Sequence, residues 1–286
     1  MATLITNAYC DRKAFYDYIA ENGITDANDD NVIAGVLNGV SRIIDAATRG
    51  RIFFPRVATR LFSLLRMNED WQIRRTLKLD FDLLEVATLL NGDGVAIASS
   101  EYYLDSPNFT PYHAIVLRES SSTLWQFGLS GDSEYVISVT GVWGYHDDWA
   151  SAFVSRSLLT GNMTSSVTTA GVTTGTGAIF SNGMLVRVGT EYMAVDGVST
   201  DTLTVRRGVN GSTAAAHSTG DTLYQYMPMT AIAEATKRIG LQAYRRFGQA
   251  MSGGQVQVTA AGVVITPKDI GPMDAQLLAS LASRRI

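Results

Sequence analysis

The apolar period of this chain changes twice along its length. Val32, Ile33, Val36, Leu37, Val40, Ile43, Ile44 and Ala47 recur at three- and four-residue spacing, the stripe of an amphipathic helix. From about Ala58 to Tyr145, and again from Met184 to Tyr226, the period is two. Helical spacing returns at Ile232 and runs through Ala235, Thr236, Ile239, Ala243 and Phe247. A block of strands held between two blocks of helix excludes the strand–helix alternation of nucleotide-binding α/β folds. It leaves an α+β chain built on antiparallel sheet.

Punctuation refines this pattern. Asn28, Asp29 and Asp30 supply N-cap candidates and a negative first turn for the second helix, while Asn38-Gly39 is its weak point. A shorter helix around Phe15, Tyr18 and Ile19 ends near Asn22-Gly23. Strands are expected at Leu61–Leu65, Leu77–Phe81, Tyr102–Leu104, His113–Leu117 and Tyr135–Val139, divided by turns such as Asn91-Gly92-Asp93-Gly94 and Ser130-Gly131-Asp132. Residues 157–186 carry no charge, and Thr, Ser and Gly dominate their first part; this reads either as a flexible linker or as strands. Met184–Val188, Glu191–Val195, Thr202–Arg206 and Thr222–Tyr226 follow as strands, with Asn182-Gly183, Asp196-Gly197 and Asn210-Gly211 as turns. Val256/Val258 and Val263–Ile265 form a small hairpin before a leucine-bearing tail. The expected organisation is a discontinuous domain, 1–156 with 227–286, carrying an inserted all-β domain at 157–226.

Composition narrows the function. Of 286 residues, 46% are hydrophobic and 17% charged, below the ~25% charge of ordinary soluble domains. Such a chain is expected to hide further surface against partners or copies of itself. The net charge of −4 is uneven: −7 over residues 1–156, −1 over 157–226 and +4 over 227–286. The acidic front and basic end pair either within one fold or between copies in a head-to-tail assembly. The N-terminus lacks a basic-then-apolar signal and no window is long and apolar enough to span a membrane, so assembly in a cytoplasm is expected.

Chemical constellations are sparse. There is no phosphate-binding loop, and Gly92-Asp93-Gly94 and Gly175-Thr176-Gly177 lack the third glycine of a dinucleotide loop. Cys10 is the one cysteine and reads as a core residue. His146-Asp147-Asp148 reads as a polar loop before a metal site, and His217 as a loop-fixing hydrogen-bonder before a base. Asp80 and Asp82 share one strand face, read as solvated before a glycosidase pair. Lys237, Arg238, Arg245 and Arg246 share roughly one helix face, which meets phosphates, an acidic partner or water. No enzyme, metal or cofactor is expected.

Three segments in chain order carry a resemblance. Ser41-Arg42-Ile43-Ile44-Asp45 with Arg49-Gly50-Arg51-Ile52-Phe53-Phe54-Pro55, then Val139-Thr140-Gly141-Val142-Trp143-Gly144-Tyr145, then Thr266-Pro267-Lys268-Asp269-Ile270 before Leu277-Leu278 and Arg284-Arg285, resemble the head–tail connector (adaptor) proteins of tailed bacteriophages. Val188–Val195 and Leu203–His217 are similar to a β module that recurs in phage structural proteins; shorter adaptors lack such an insert. The resemblance implies a virion protein of the neck: a ring, dodecameric as a rule, docked beneath the portal. It would extend the channel through which double-stranded DNA passes and give a stopper or tail-completion protein its platform.

Carried onto this chain, the resemblance makes Val263 to Ile286 the portal-binding arm. Its apolar anchors would be Val263, Val264, Ile265, Ile270, Leu277, Leu278, Leu281 and Ile286, beside Lys268, Arg284 and Arg285. Arg42, Asp45, Arg49 and Arg51 would fix a loop or bridge subunits through Arg–carboxylate pairs. Trp143 and Tyr145 offer stiff area for the core or a subunit contact. The alternatives are another neck or tail component such as a stopper, or a carbohydrate- or receptor-binding β module. The latter requires an aromatic face drawn from Phe180, Tyr192, Tyr224 and Tyr226.

Overall fold

The computed structural model describes residues 4–24, 30–64, 75–251, 258–259, 262–263 and 270–282, with backbone alone at 247–251, 258–259 and 262–263. The chain is α+β, with helices and antiparallel sheets. Helix α1, Arg12–Glu21, starts where the Asp11 carboxylate accepts the Ala14 N–H at 3.0 Å, an N-cap that satisfies an orphan donor. It stops at Asn22 and Gly23, the latter at φ +88°, where a left-handed residue ends the helix at least cost. Helix α2, Asp30–Ala47, buries Ile33, Val36, Leu37, Val40 and Ile44. The N-cap candidates Asn28 and Asp29 lie outside the described residues.

Asn38 does not break α2, because its amide is used. Its Oδ1 accepts the Thr6 N–H and its Nδ2 donates to the Leu4 carbonyl, both at 2.8 Å. Ser41 Oγ accepts the Tyr9 N–H at 3.1 Å, and Arg42 donates to the Asn7 carbonyl at 3.1 Å. Positions 38, 41, 42 and 45 are one helical stripe, and this polar stripe holds the N-terminal segment along α2.

Contacts divide the chain into two compact units, Met1–Arg51 with Ser151–Ser283, and Ile52–Ala150. In the second unit, strands β1 (Arg56–Phe62), β2 (Thr76–Leu90), β3 (Tyr102–Leu104), β4 (Tyr112–Leu117) and β5 (Ile137–Trp143) form an antiparallel sheet in the order β1-β5-β2-β4-β3. At ~3.3 Å per residue the 15 residues of β2 would span about 50 Å if straight. Instead both of its ends reach one stretch of chain. Trp125 Nε1 donates to the Arg75 carbonyl at 3.0 Å, and Asn91 Nδ2 donates to the Leu124 carbonyl at 2.9 Å. Register shifts after Lys78, Leu83 and Val86 supply the bend, as bulges do. The sheet wraps a core containing Leu79, Leu83, Ile115, Ile137, Val139 and Trp143.

In the first unit, β6 (Phe153–Leu158), β7 (Thr169–Gly171), β8 (Leu185–Val188), β9 (Glu191–Ser199), β10 (Thr202–Arg206) and β11 (Thr222–Tyr226) run in the order β6-β11-β8-β9-β10-β7. The two outer strands meet: Leu159 bridges Val172, the Thr160 N–H donates to Gly171 O at 3.0 Å and the Thr173 N–H to Leu158 O at 3.2 Å. The sheet therefore closes into a six-stranded barrel around Val172, Val186, Met193, Val195, Leu203 and Leu223. Closure removes the free strand edges. The threonine-rich stretch is barrel wall, and the linker reading is set aside.

Helix α3 (Thr230–Met251) packs on α1 and α2, a short hairpin pairs β12 (Val258–Thr259) with β13 (Gly262–Val263), and α4 (Pro272–Ser280) lies against α2. The division differs from the one drawn on composition, whose boundary after Arg156 falls inside β6. The reason is the N-terminal segment, which ties the barrel to the helices. Arg12 N–H donates to Asn182 O at 3.0 Å, Ser181 Oγ donates to the Asp11 carboxylate at 2.6 Å, and Arg206 donates to Ile5 O at 3.0 Å.

Candidate functional site

The segment after α2 turns on two left-handed residues, Arg49 at φ +59° and Gly50 at φ +82°. Arg42 pairs with Asp45 at 2.8 Å, and Asp45 also accepts a short hydrogen bond from the Tyr9 hydroxyl. Burial pushes the Asp45 carboxyl up, and Tyr9 and Arg42 offset only part of that. Arg51 donates to the Leu281 carbonyl at 2.7 Å. These contacts, drawn from the expected Arg–carboxylate set, fix the chain internally.

The Val139–Tyr145 motif is β5 and its exit. A Cβ on Gly141 would sit 2.1 Å from Glu85 O, and one on Gly144, at φ +146°, would sit 2.5 Å from Phe54 O; both positions need glycine for backbone approach. Trp143 is buried, stacks on Phe62 with ring centroids 6.0 Å apart, and donates to Ala58 O at 2.9 Å. Tyr145 meets Phe53 edge-on.

The anchors assigned to the arm are largely spent inside the chain. Leu278 and Leu281 are buried, and Ile270 and Leu277 are half-buried. Asp274 on α4, itself buried, clasps Arg238 of α3, with Arg238 Nε 3.1 Å from Oδ1. The reading of Leu278 and Leu281 as free anchors is thereby corrected: an amphipathic turn next to apolar helices buries its leucines there first. Val263 contributes backbone to β13, and Val264, Ile265, Lys268, Arg284, Arg285 and Ile286 lie outside the described residues.

On the basic face of α3, two of the four side chains are spent on ion pairs within the chain. Lys237 pairs with Glu234 at 2.7 Å and Arg238 with Asp274, while Arg245 donates to Asn22 O at 3.2 Å. Arg245 and Arg246 remain exposed.

Within the barrel, residues of Val188–Val195 and Leu203–His217 converge on one carboxylate. Glu191 is wholly buried and holds Arg207 in a bidentate pair at 2.7 and 2.8 Å. It also bonds His217 Nε2 at 2.8 Å and accepts the N–H groups of Gly208 and Ala215 at 3.0 and 2.9 Å. Burial raises the Glu191 carboxyl, but Arg207 and the three other donors outweigh it and hold the pKa down at about 2. Arg207 further donates to the carbonyls of Thr164, Val167 and Ala215. Every donor faces protein, so this cluster locks loops; His217 fixes a loop, as read from sequence.

Other constellations stay local. His146 Nδ1 accepts the Asp148 N–H at 3.0 Å and its ring meets Trp149. Among the described residues no three His, Cys, Asp or Glu side chains are placed to hold a metal, and no helix is long and apolar enough to cross a membrane. Asp80 is exposed, whereas Asp82 is half-buried and 3.8 Å from His113. Cys10 is buried, and burial pushes its thiol far up, away from nucleophilic use. Phe180, Tyr192 and Tyr226 are buried and Tyr224 half-buried, so no aromatic platform for a sugar is open on the barrel.

The exposed surface is uneven. Of 14 exposed large hydrophobic side chains among the described residues, nine belong to residues 52–150, about a third of the chain. Leu129, at the tip of a turn, is 92% exposed, with Phe109, Tyr135 and Phe127 at 73%, 66% and 59%. Sequence reading missed Arg60, whose guanidinium lies 3.4 Å over Phe81 and 5.1 Å from Trp143. The even spacing of Arg56, Arg60 and Phe62 on one strand was the available signal. No family model matches the chain, and a search of curated proteins returns no match.

Proposed function

We propose that this chain is a structural virion protein, a head–tail adaptor that forms a ring under the portal, extends the DNA channel and carries the stopper or tail. One observation supports self-assembly above all: among the described residues, 52–150 carry most of the large apolar side chains left in water. Solitary exposed hydrophobes are ordinary, but so many within about a third of a charge-poor chain suit coverage by a second copy or a partner. The three in-order segments that resemble connector proteins supply the kind of assembly. Portal attachment falls to the residues flanking α4, Val264, Ile265, Lys268, Arg284, Arg285 and Ile286, because α4 itself is docked at home. On this reading the protein belongs to the virion neck and is assembled in the host cytoplasm.

The test is electron microscopy of lysates from the parent phage with a stop codon in this gene. Heads accumulating apart from tails, many emptied of DNA, are the expected result. Complete virions that fail to adsorb would overturn the reading in favour of a receptor-binding role. Arg284→Ala with Arg285→Ala is expected to reproduce the separation of heads from tails while leaving the fold intact.

A further inference from the structure

Strand β1 lies at the edge of its sheet, and among the described residues its two arginines have no carboxylate partner; Arg187, stacked on Phe153 with its buried Nε unpartnered, shares this inside the barrel. Arg60 Nε is buried with no hydrogen-bond partner, and among the described residues neither the Arg60 nor the Arg56 side chain makes an ion pair or a hydrogen bond. By contrast Arg207, Arg206 and Arg238 are each paired with a carboxylate. Arg60 is nevertheless held in place, because Phe81 and Trp143 grip the flat guanidinium. Cation–π contact fixes the plane of the fork and leaves its outer edge to bind. Burial and the neighbouring Arg56 both work against its charge, and Asp80 only partly compensates. A stacked, half-buried cation with no hydrogen bond or ion pair among the described residues is a receptor for a planar anion.

We infer that Arg60, seconded by Arg56, receives a carboxylate from a neighbouring copy of this chain, forming the head-to-tail contact of the ring. This rests on the ring reading above. The occupant follows from charge: residues 52–150 contain 13 Asp and Glu against seven Lys and Arg, so a second copy brings carboxylates in excess. The same surplus repels a polyanion such as DNA. Phe81 beside Arg60 is exposed at 48%, and apolar area beside a paired charge is how an interface keeps water from it. Arg60 on one copy against an acid on the next is a heterologous contact, the kind that closes rings.

Native mass spectrometry of the full chain, alone and mixed with Arg60→Glu, tests this. Wild type is expected to assemble. Arg60→Glu should stay monomeric with its cooperative melt retained, associating roughly 30-fold or more weakly. Mixed with wild type it should truncate rings into shorter arcs, because it keeps one competent face. Arg60→Gln, milder toward the fold, is expected to fail in the same way. If both variants assemble like wild type, the contact is overturned and the ring stands. If wild type stays monomeric at every concentration reached, the contact and the ring reading both fall.

Discussion

At Glu191 a single carboxylate decides whether the barrel loops hold. Truncating it leaves Arg207, whose side chain is 6% exposed, charged and unpaired in the interior. Glu191→Ala is therefore expected to cost about 3–5 kcal/mol, read as a fall in urea midpoint. The pH dependence has a definite sign. The folded pKa of about 2 lies below the ordinary 4.5, so the stabilisation is complete above about pH 4.5 and is lost as pH falls through about 2. Its size is roughly 3 kcal/mol. Urea midpoints at about pH 5 and pH 2.5 should differ for wild type, and this part of the difference should vanish in Glu191→Gln. Sequence reading assigned His217 to loop fixing, but the carboxylate it bonds was not legible. Glu191 and His217 are 26 positions apart, and only the barrel brings them together.

At the scale of elements, α4 is seated by buried Leu278 and Leu281 and by polar contacts. Arg238 grips Asp274 and Arg51 reaches the Leu281 carbonyl. Hydrogen bonds to charged groups contribute about 1.5–3 kcal/mol each. Asp274→Ala should thus speed amide exchange across residues 270–282 well before the rest of its unit, measured by hydrogen exchange with mass spectrometry. Unchanged protection there would show that Leu278 and Leu281 alone seat the helix. The helices were legible because their apolar stripes persist over several turns. Asn38 looked like a defect in α2 because its partners, Leu4 and Thr6, are more than 30 residues away. The full length of β2 was hidden as well: Glu85, Ala87 and Thr88 interrupt the expected alternation at the bulges that bend the strand.

At the scale of the molecule, the chain groups into two compact units. Residues 52–150 are continuous in sequence and hold their own core, so that fragment is expected to fold alone. A cooperative thermal melt with Trp143 fluorescing as a buried indole would bear this out. A fragment that binds hydrophobic dye and melts without cooperativity would show that the core needs the rest of the chain. The excised unit also offers a direct readout of self-association, since it carries Arg60 and the exposed apolar residues.

Local physics was enough for the class of elements, the antiparallel sheets and the core face of each helix, because period, caps and turn residues act within a few positions. The closure of the barrel, the curl of β2, the docking of α4 and the stacking of Arg60 on Phe81 were decided by tertiary structure. Each depends on which distant groups meet, and on whether a buried donor or acceptor finds a partner there.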